Sequence, residues 1–136
     1  IDCTQSHFEY PASGAAHAVH PINLAGANAG FVRGQGSVLL MFLMGDADHS
    51  FEVDDAEGLH DMVVASKGAC GEQCVVAGGL LQRICDPFAY ASIPFVEGFP
   101  HHLWGSVNVD GQYTEVMGEA LVEVLAATCE AVDPAG

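Results

Sequence analysis

The chain has 136 residues, of which 18 are acidic and only 3 are basic, and its formal net charge is −15. Such a surface repels phosphate backbones and attracts cations or basic protein surfaces. We therefore do not expect nucleic acid as a partner. Half of the residues are apolar, which is enough for a packed core in a domain of ordinary size. We therefore expect one small domain, α+β or mainly α, over residues 1–136.

Residues 1–32 are rich in Ala, Gly, His and Pro without sustained periodicity. They predict an irregular N-terminal arm with short elements at most, ahead of a core over 33–136. The run from Val38 to Met44 contains seven apolar residues, which fits a buried strand or a core helix. It is far shorter than the roughly twenty residues that cross a bilayer, so no transmembrane segment is expected.

The remaining sequence predicts about three helices. Residues 55–66 carry apolar side chains at helical spacing and are followed by Gly68 as a stop signal. A second helix is expected over 71–85, although two adjacent glycines weaken it. Residues 88–100 should be irregular but packed, and the clearest helix of the chain runs over 114–131.

The segment 46–57 has the ligand spacing of a twelve-residue calcium loop. Oxygen-bearing side chains stand at loop positions one, three, five, nine and twelve. These candidate metal ligands are Asp46, Asp48, Ser50, Asp54 and Glu57. The segment resembles an EF-hand, although Phe51 replaces the glycine at position six, where the loop turns sharply. The resemblance implies weak calcium binding, with a Kd of about 10⁻⁴ to 10⁻³ M.

Two alternatives apply to this pattern. Asp54 and Glu57 also fit a capping box that opens the following helix, with a polar turn before it. A degenerate copy of the loop over 106–117 keeps Gly111 at position six but ends in Met117, so it lacks the bidentate carboxylate. That second segment fits equally well a β-hairpin with a two-residue Asp-Gly turn.

The chain contains five cysteines and begins without methionine; the cysteines are Cys3, Cys70, Cys74, Cys85 and Cys129. Both features favour a processed protein in an oxidising compartment, either secreted or in an organelle lumen. Two disulfides and one free thiol are expected, and sequence alone does not choose among the pairings.

Aromatic residues concentrate between Pro87 and Gly105 and form a candidate surface for a protein partner: Phe88, Tyr90, Phe95, Phe99 and Trp104. Packing of these rings against the domain's own helices is the alternative. Histidines provide a different chemistry, because His17 and His20, with His101 or His102, have the residue types of a zinc or copper site. Exposed or hydrogen-bonded histidines in loops are the simpler interpretation.

The favoured function is a non-catalytic, disulfide-stabilised, extracytosolic binding or structural subunit with weak calcium binding at 46–57. A small histidine or cysteine metal-binding protein or metalloenzyme is the first alternative. A docking subunit of a larger assembly, without metal, is the second. No segment carries a catalytic or nucleotide-binding signature, which favours the non-catalytic interpretation.

Overall fold

A computed structural model of the chain describes residues 9–33, 37–45, 48–81, 91–106 and 112–131. The described residues form a parallel sheet of three strands with helices on both of its faces. In chain order the elements are α1 (Pro11–Ala18), α2 (Pro21–Leu24), β1 (Leu39–Gly45), α3 (Ser50–Val53), α4 (Ala56–Ser66), a 3₁₀ helix (Gly68–Cys74), β2 (Val75–Leu81), α5 (Ser92–Glu97), β3 (His101–Ser106) and α6 (Gln112–Ala131).

The strands lie in the order β1-β2-β3, with Leu39 opposite Val75 and Val76 opposite His101. Parallel neighbours require crossover connections, and α4 and α5 lie in the two connections of this sheet. Every residue of the central strand β2 is buried. At its middle, a Cβ on Gly79 would come within 2.8 Å of the backbone oxygen of Leu43, so only glycine fits against β1 without a shift.

One face of the sheet carries the main hydrophobic core, to which α1, α4 and α5 contribute. Ala12, Ala16 and Val19 belong to this core together with Met41 and Leu43 of β1. The segment predicted as an irregular arm thus contains two short helices, and its first helix packs into the domain. On the opposite face, α6 packs against β2 and β3.

The prediction of a small single domain that mixes helices and strands is confirmed. The helix predicted over 55–66 is α4, and the carboxylate that caps it belongs to Asp55, which accepts a hydrogen bond of 2.7 Å from the Gly58 amide. The N-cap therefore falls one residue after the Asp54 of the proposed capping box. The apolar run from Val38 to Met44 corresponds closely to β1.

The helix predicted over 71–85 is wrong for residues 71–81, and 82–85 lie outside the described residues. That stretch contains the end of the 3₁₀ helix and then β2. A central parallel strand is buried on both faces, so it shows no alternation, and its small glycines permit close strand packing. Residues 112–114, the second strand of the alternative hairpin, are the first turn of α6, while 107–111 lie outside the described residues.

A disulfide joins Cys70 to Cys74 across the 3₁₀ helix, with Cα atoms 5.6 Å apart. Cys3 and Cys85 lie outside the described residues, and Cys129 lies in α6. Within the part of the chain that the structure describes, no helix has both the length and the apolar character needed to cross a membrane.

Candidate functional site

The carboxylate of Asp48, just beyond the carboxyl end of β1, is the centre of a buried hydrogen-bond network. Asp48 is only 3% exposed. Its Oδ2 accepts a hydrogen bond from the Ala12 amide at 3.1 Å and another from the Ser92 hydroxyl. Its Oδ1 accepts hydrogen bonds from the amide and the hydroxyl of Ser50. These four donors satisfy the buried charge and join α1, α3 and α5 at one point.

Ser13 extends this network toward the surface. Its amide donates to the Ser50 hydroxyl at 2.8 Å, and its own hydroxyl donates to Oδ2 of Asp54. The same oxygen of Asp54 lies 3.3 Å from Nε2 of His17, whose side chain is 45% exposed. The arrangement has a serine and a histidine on one carboxylate, without the direct serine–histidine contact that would activate a nucleophile.

Three of the five predicted calcium ligands, Asp48, Ser50 and Asp54, are brought together by this network. Glu57 lies exposed in the first turn of α4, and Asp46 lies outside the described residues. No group of three or more His, Cys, Asp or Glu side chains in the described ranges is arranged to hold a metal ion. Because Asp46 is not among the described residues, calcium binding by the loop stays a prediction.

Of the histidines of the alternative metal site, His17 and His20 lie near each other, with ring centroids 6.2 Å apart, whereas His101 and His102 contact other groups. His20 caps α2, because its Nδ1 accepts a hydrogen bond of 3.3 Å from the Ile22 amide. In β3, Nδ1 of His101 lies 3.6 Å from a carboxylate oxygen of Glu123, and His102 donates from Nδ1 to the Phe99 carbonyl.

The aromatic segment does not form the predicted partner surface in its described part. Phe95 and Phe99 are buried in the core and pack edge to face, with ring centroids 5.5 Å apart. Trp104 is half-buried against the same core, and its indole nitrogen donates to Glu97 at 3.0 Å. Phe88 and Tyr90 lie outside the described residues. The packing alternative therefore holds for the three described rings.

An apolar groove runs along the edge of β1 that faces away from β2. It has a volume of about 170 Å³ and is lined by Ala15, Ala18, Val19, Phe31 and residues 39–43. Side chains of consecutive strand residues point to opposite faces of a sheet. Because all five residues 39–43 line the groove, the groove lies along the edge of β1 and not on one face of the sheet. We call this feature the edge groove. Phe31, at its rim, is 63% exposed.

A second cavity of about 220 Å³ adjoins the edge groove and shares Phe31 and Leu39 with it. It is lined by residues 31–33, 37–39 and Lys67, and we call it the basic pocket. Nζ of Lys67 donates to the backbone oxygen of Arg33 at 3.2 Å and to the Ser37 hydroxyl at 3.1 Å. Burial lowers the pKa of Lys67 because removing the ammonium from water disfavours its charged form.

Sequence reasoning missed both cavities. The signal for the basic pocket is the rarity of basic residues: two of the three in the chain, Arg33 and Lys67, line this one cavity. The signal for the groove is the uninterrupted apolar run of β1. This run includes residues whose side chains are exposed in the structure, since Leu40 is 43% and Met44 is 60% exposed. Comparison with known proteins adds no family assignment, because no family model, curated protein or solved structure matches the chain.

Proposed function

We propose that this protein is a non-catalytic binding subunit that receives an extended, apolar segment of another protein in the edge groove. The observation that carries the proposal is the location of the groove along β1. Within the described residues the sheet ends at this strand, so the outer backbone donors and acceptors of β1 face the groove. An added strand from a partner would satisfy them while its side chains enter the apolar lining.

The lining favours small or β-branched apolar side chains in the partner. Ala15 and Ala18 leave room on the α1 side, and Phe31 provides a ring at the rim. Strand addition derives affinity from main-chain hydrogen bonds and specificity from alternate side chains. Residues 39–43 span about 13 Å of strand, since a strand rises about 3.3 Å per residue, so the groove accommodates about five residues of a partner.

Charge argues that the partner is a different protein. Each copy of this chain carries a net charge of −15, so association of two copies brings together strongly like-charged surfaces. The Cys70–Cys74 disulfide, with Cys74 fully buried, supports an oxidising compartment as the place where the subunit works. Secretion or an organelle lumen is accordingly part of this proposal.

Affinity selection from a library of synthetic random heptapeptides on the purified protein tests the proposal. We expect enrichment of apolar, β-branched sequences. Replacement of Ala18 by Phe fills the groove and should abolish enrichment, whereas Ala65→Phe, on the exposed side of α4, should leave it unchanged. An absence of enrichment, or equal binding of the selected peptides to both variants, would contradict the proposal.

A further inference from the structure

The basic pocket holds an ammonium group whose charge lacks a counterion among the described residues. Lys67 is 3% exposed, and both of its hydrogen-bond acceptors, the Arg33 carbonyl and the Ser37 hydroxyl, are uncharged. An ammonium has three N–H donors, so one remains for a further acceptor. A buried charge without an opposite charge is costly, and such groups are ordinarily paired.

The chain could easily have supplied a counterion, since it contains 18 carboxylate side chains. None of those in the described residues forms an ion pair with Lys67 or Arg33; each ion pair found there has a histidine as its basic partner. Two basic residues, 34 positions apart, thus line one cavity, and no carboxylate of the described residues pairs with either of them. Such a cavity attracts an external anion.

The position of the pocket relative to the groove indicates which anion. Lys67 follows the last residue of α4, which leads from the carboxyl end of β1 back to the start of β2. The basic pocket therefore lies at the amino end of β1, where residues 37–39 enter the strand. A partner strand antiparallel to β1 would end at this point, with its C-terminus directed into the pocket.

We propose that the basic pocket binds the terminal carboxylate of the partner, so that the ligand is the free C-terminus of a protein whose last residues are apolar. This inference rests on the proposed function of the edge groove. The carboxylate would accept hydrogen bonds from the remaining donor of Lys67 and from the Arg33 guanidinium, while the preceding residues pair with β1. The Phe31 side chain, shared by both cavities, lies where the carboxylate gives way to the apolar residues.

Lys67 also has a structural effect, because its two hydrogen bonds tie the end of α4 to the segment before β1. A purely structural lysine would make no distinction between ligands that differ only at their terminus. Selectivity for a free carboxylate over an amide is the property that only a binding role predicts.

The test is affinity selection with mass spectrometry on a random heptapeptide library, synthesised as an equal mixture of free acids and C-terminal amides. We expect the free acids to be retained about tenfold or more over their amides, as for a charged hydrogen bond lost from a buried site. Arg33→Gln, at an exposed side chain, and Lys67→Met should each reduce this preference while apolar peptides still bind. Glu119→Gln, on the exposed face of α6, is the matched control and should leave the preference unchanged.

The outcomes separate the two proposals. Retention of acids and amides alike, by the unmodified protein, would overturn the carboxylate pocket and support the groove alone. Retention of no peptide in either form would overturn the proposed function and the inference with it. Octanoate, an apolar carboxylate without peptide bonds, should displace the acids only weakly; tighter binding of octanoate than of any peptide would overturn the assignment of a protein C-terminus.

Discussion

Nζ of Lys67, at the end of α4, lies 3.2 Å from the backbone oxygen of Arg33, in the segment that leads into β1. The contact brings together two of the three basic residues of a strongly acidic chain. It fixes the amino end of β1 and also forms the wall of the basic pocket. Stability and the proposed ligand binding are consequently coupled at Lys67.

The first prediction concerns the pH dependence of stability at Lys67. Its folded-state pKa lies below the ordinary 10.5 because burial disfavours the ammonium. Between that lowered pKa and 10.5 the unfolded chain binds more protons at this site, so the free energy of unfolding should rise with pH. Urea unfolding at pH 7 and pH 10 should show this gain in the unmodified protein relative to Lys67→Met. An equal change in the free energy of unfolding between pH 7 and pH 10 for the unmodified protein and Lys67→Met would contradict this prediction.

The second prediction concerns the buried carboxylate of Asp48. Asp48→Ala leaves four donors without their acceptor and should lower the free energy of unfolding by about 3 kcal/mol or more. Asp61→Ala, at a side chain 72% exposed, is the control and should change stability by less than about 0.5 kcal/mol. Chemical denaturation measures the free energy of unfolding of both variants. Equal losses for Asp48→Ala and Asp61→Ala would contradict a stabilising role of the Asp48 hydrogen bonds.

The third prediction concerns the close approach of β1 and β2. Gly79→Ala places a Cβ 2.8 Å from the Leu43 backbone oxygen, which neither strand can relieve without moving, and should cost about 1–3 kcal/mol. Gly14→Ala, within α1, meets nothing within 4 Å and should stabilise the protein by about 0.5–1 kcal/mol. Thermal unfolding midpoints of the two variants should therefore shift in opposite directions.

The fourth prediction concerns the calcium loop. Asp48 and Ser50 are committed to hydrogen bonds within the protein, so any calcium ligands must come chiefly from Asp46, Asp54 and Glu57. We expect calorimetry to detect weak binding, with a Kd of about 10⁻⁴ to 10⁻³ M. Glu57→Gln should weaken it, whereas Asp61→Asn should not. No heat at millimolar calcium would reject the EF-hand resemblance as a binding site.

The sequence predicts those elements whose signals are local. α4 and α6 were predicted because apolar residues recur at helical spacing and stop signals follow. The sequence of β2 does not distinguish a strand from part of a helix, because a strand buried on both faces has no periodicity of its own. Its identity depends on β1 and β3, which lie elsewhere in the chain.

The candidate site was less predictable for the same reason. Spacing predicts Asp48 as a calcium ligand, but it does not reveal the hydrogen bonds that Asp48 accepts from Ala12 and Ser92, which lie 36 and 44 residues away. The convergence of Arg33 and Lys67 likewise follows from the course of α4, which spacing does not reveal. The aromatic cluster was recognised, yet composition could not distinguish an interface from a core into which Phe95 and Phe99 pack.

Amide hydrogen exchange of β1, followed by NMR with and without a saturating selected peptide, tests the central claim most directly. Strand addition should slow exchange at those amides of residues 39–43 that point away from β2, by about tenfold or more. Amides of α6, on the other face of the sheet, should be unaffected. Peptide binding that leaves the β1 amides unprotected, or that protects α6 instead, would contradict the proposal that the edge groove receives an added strand.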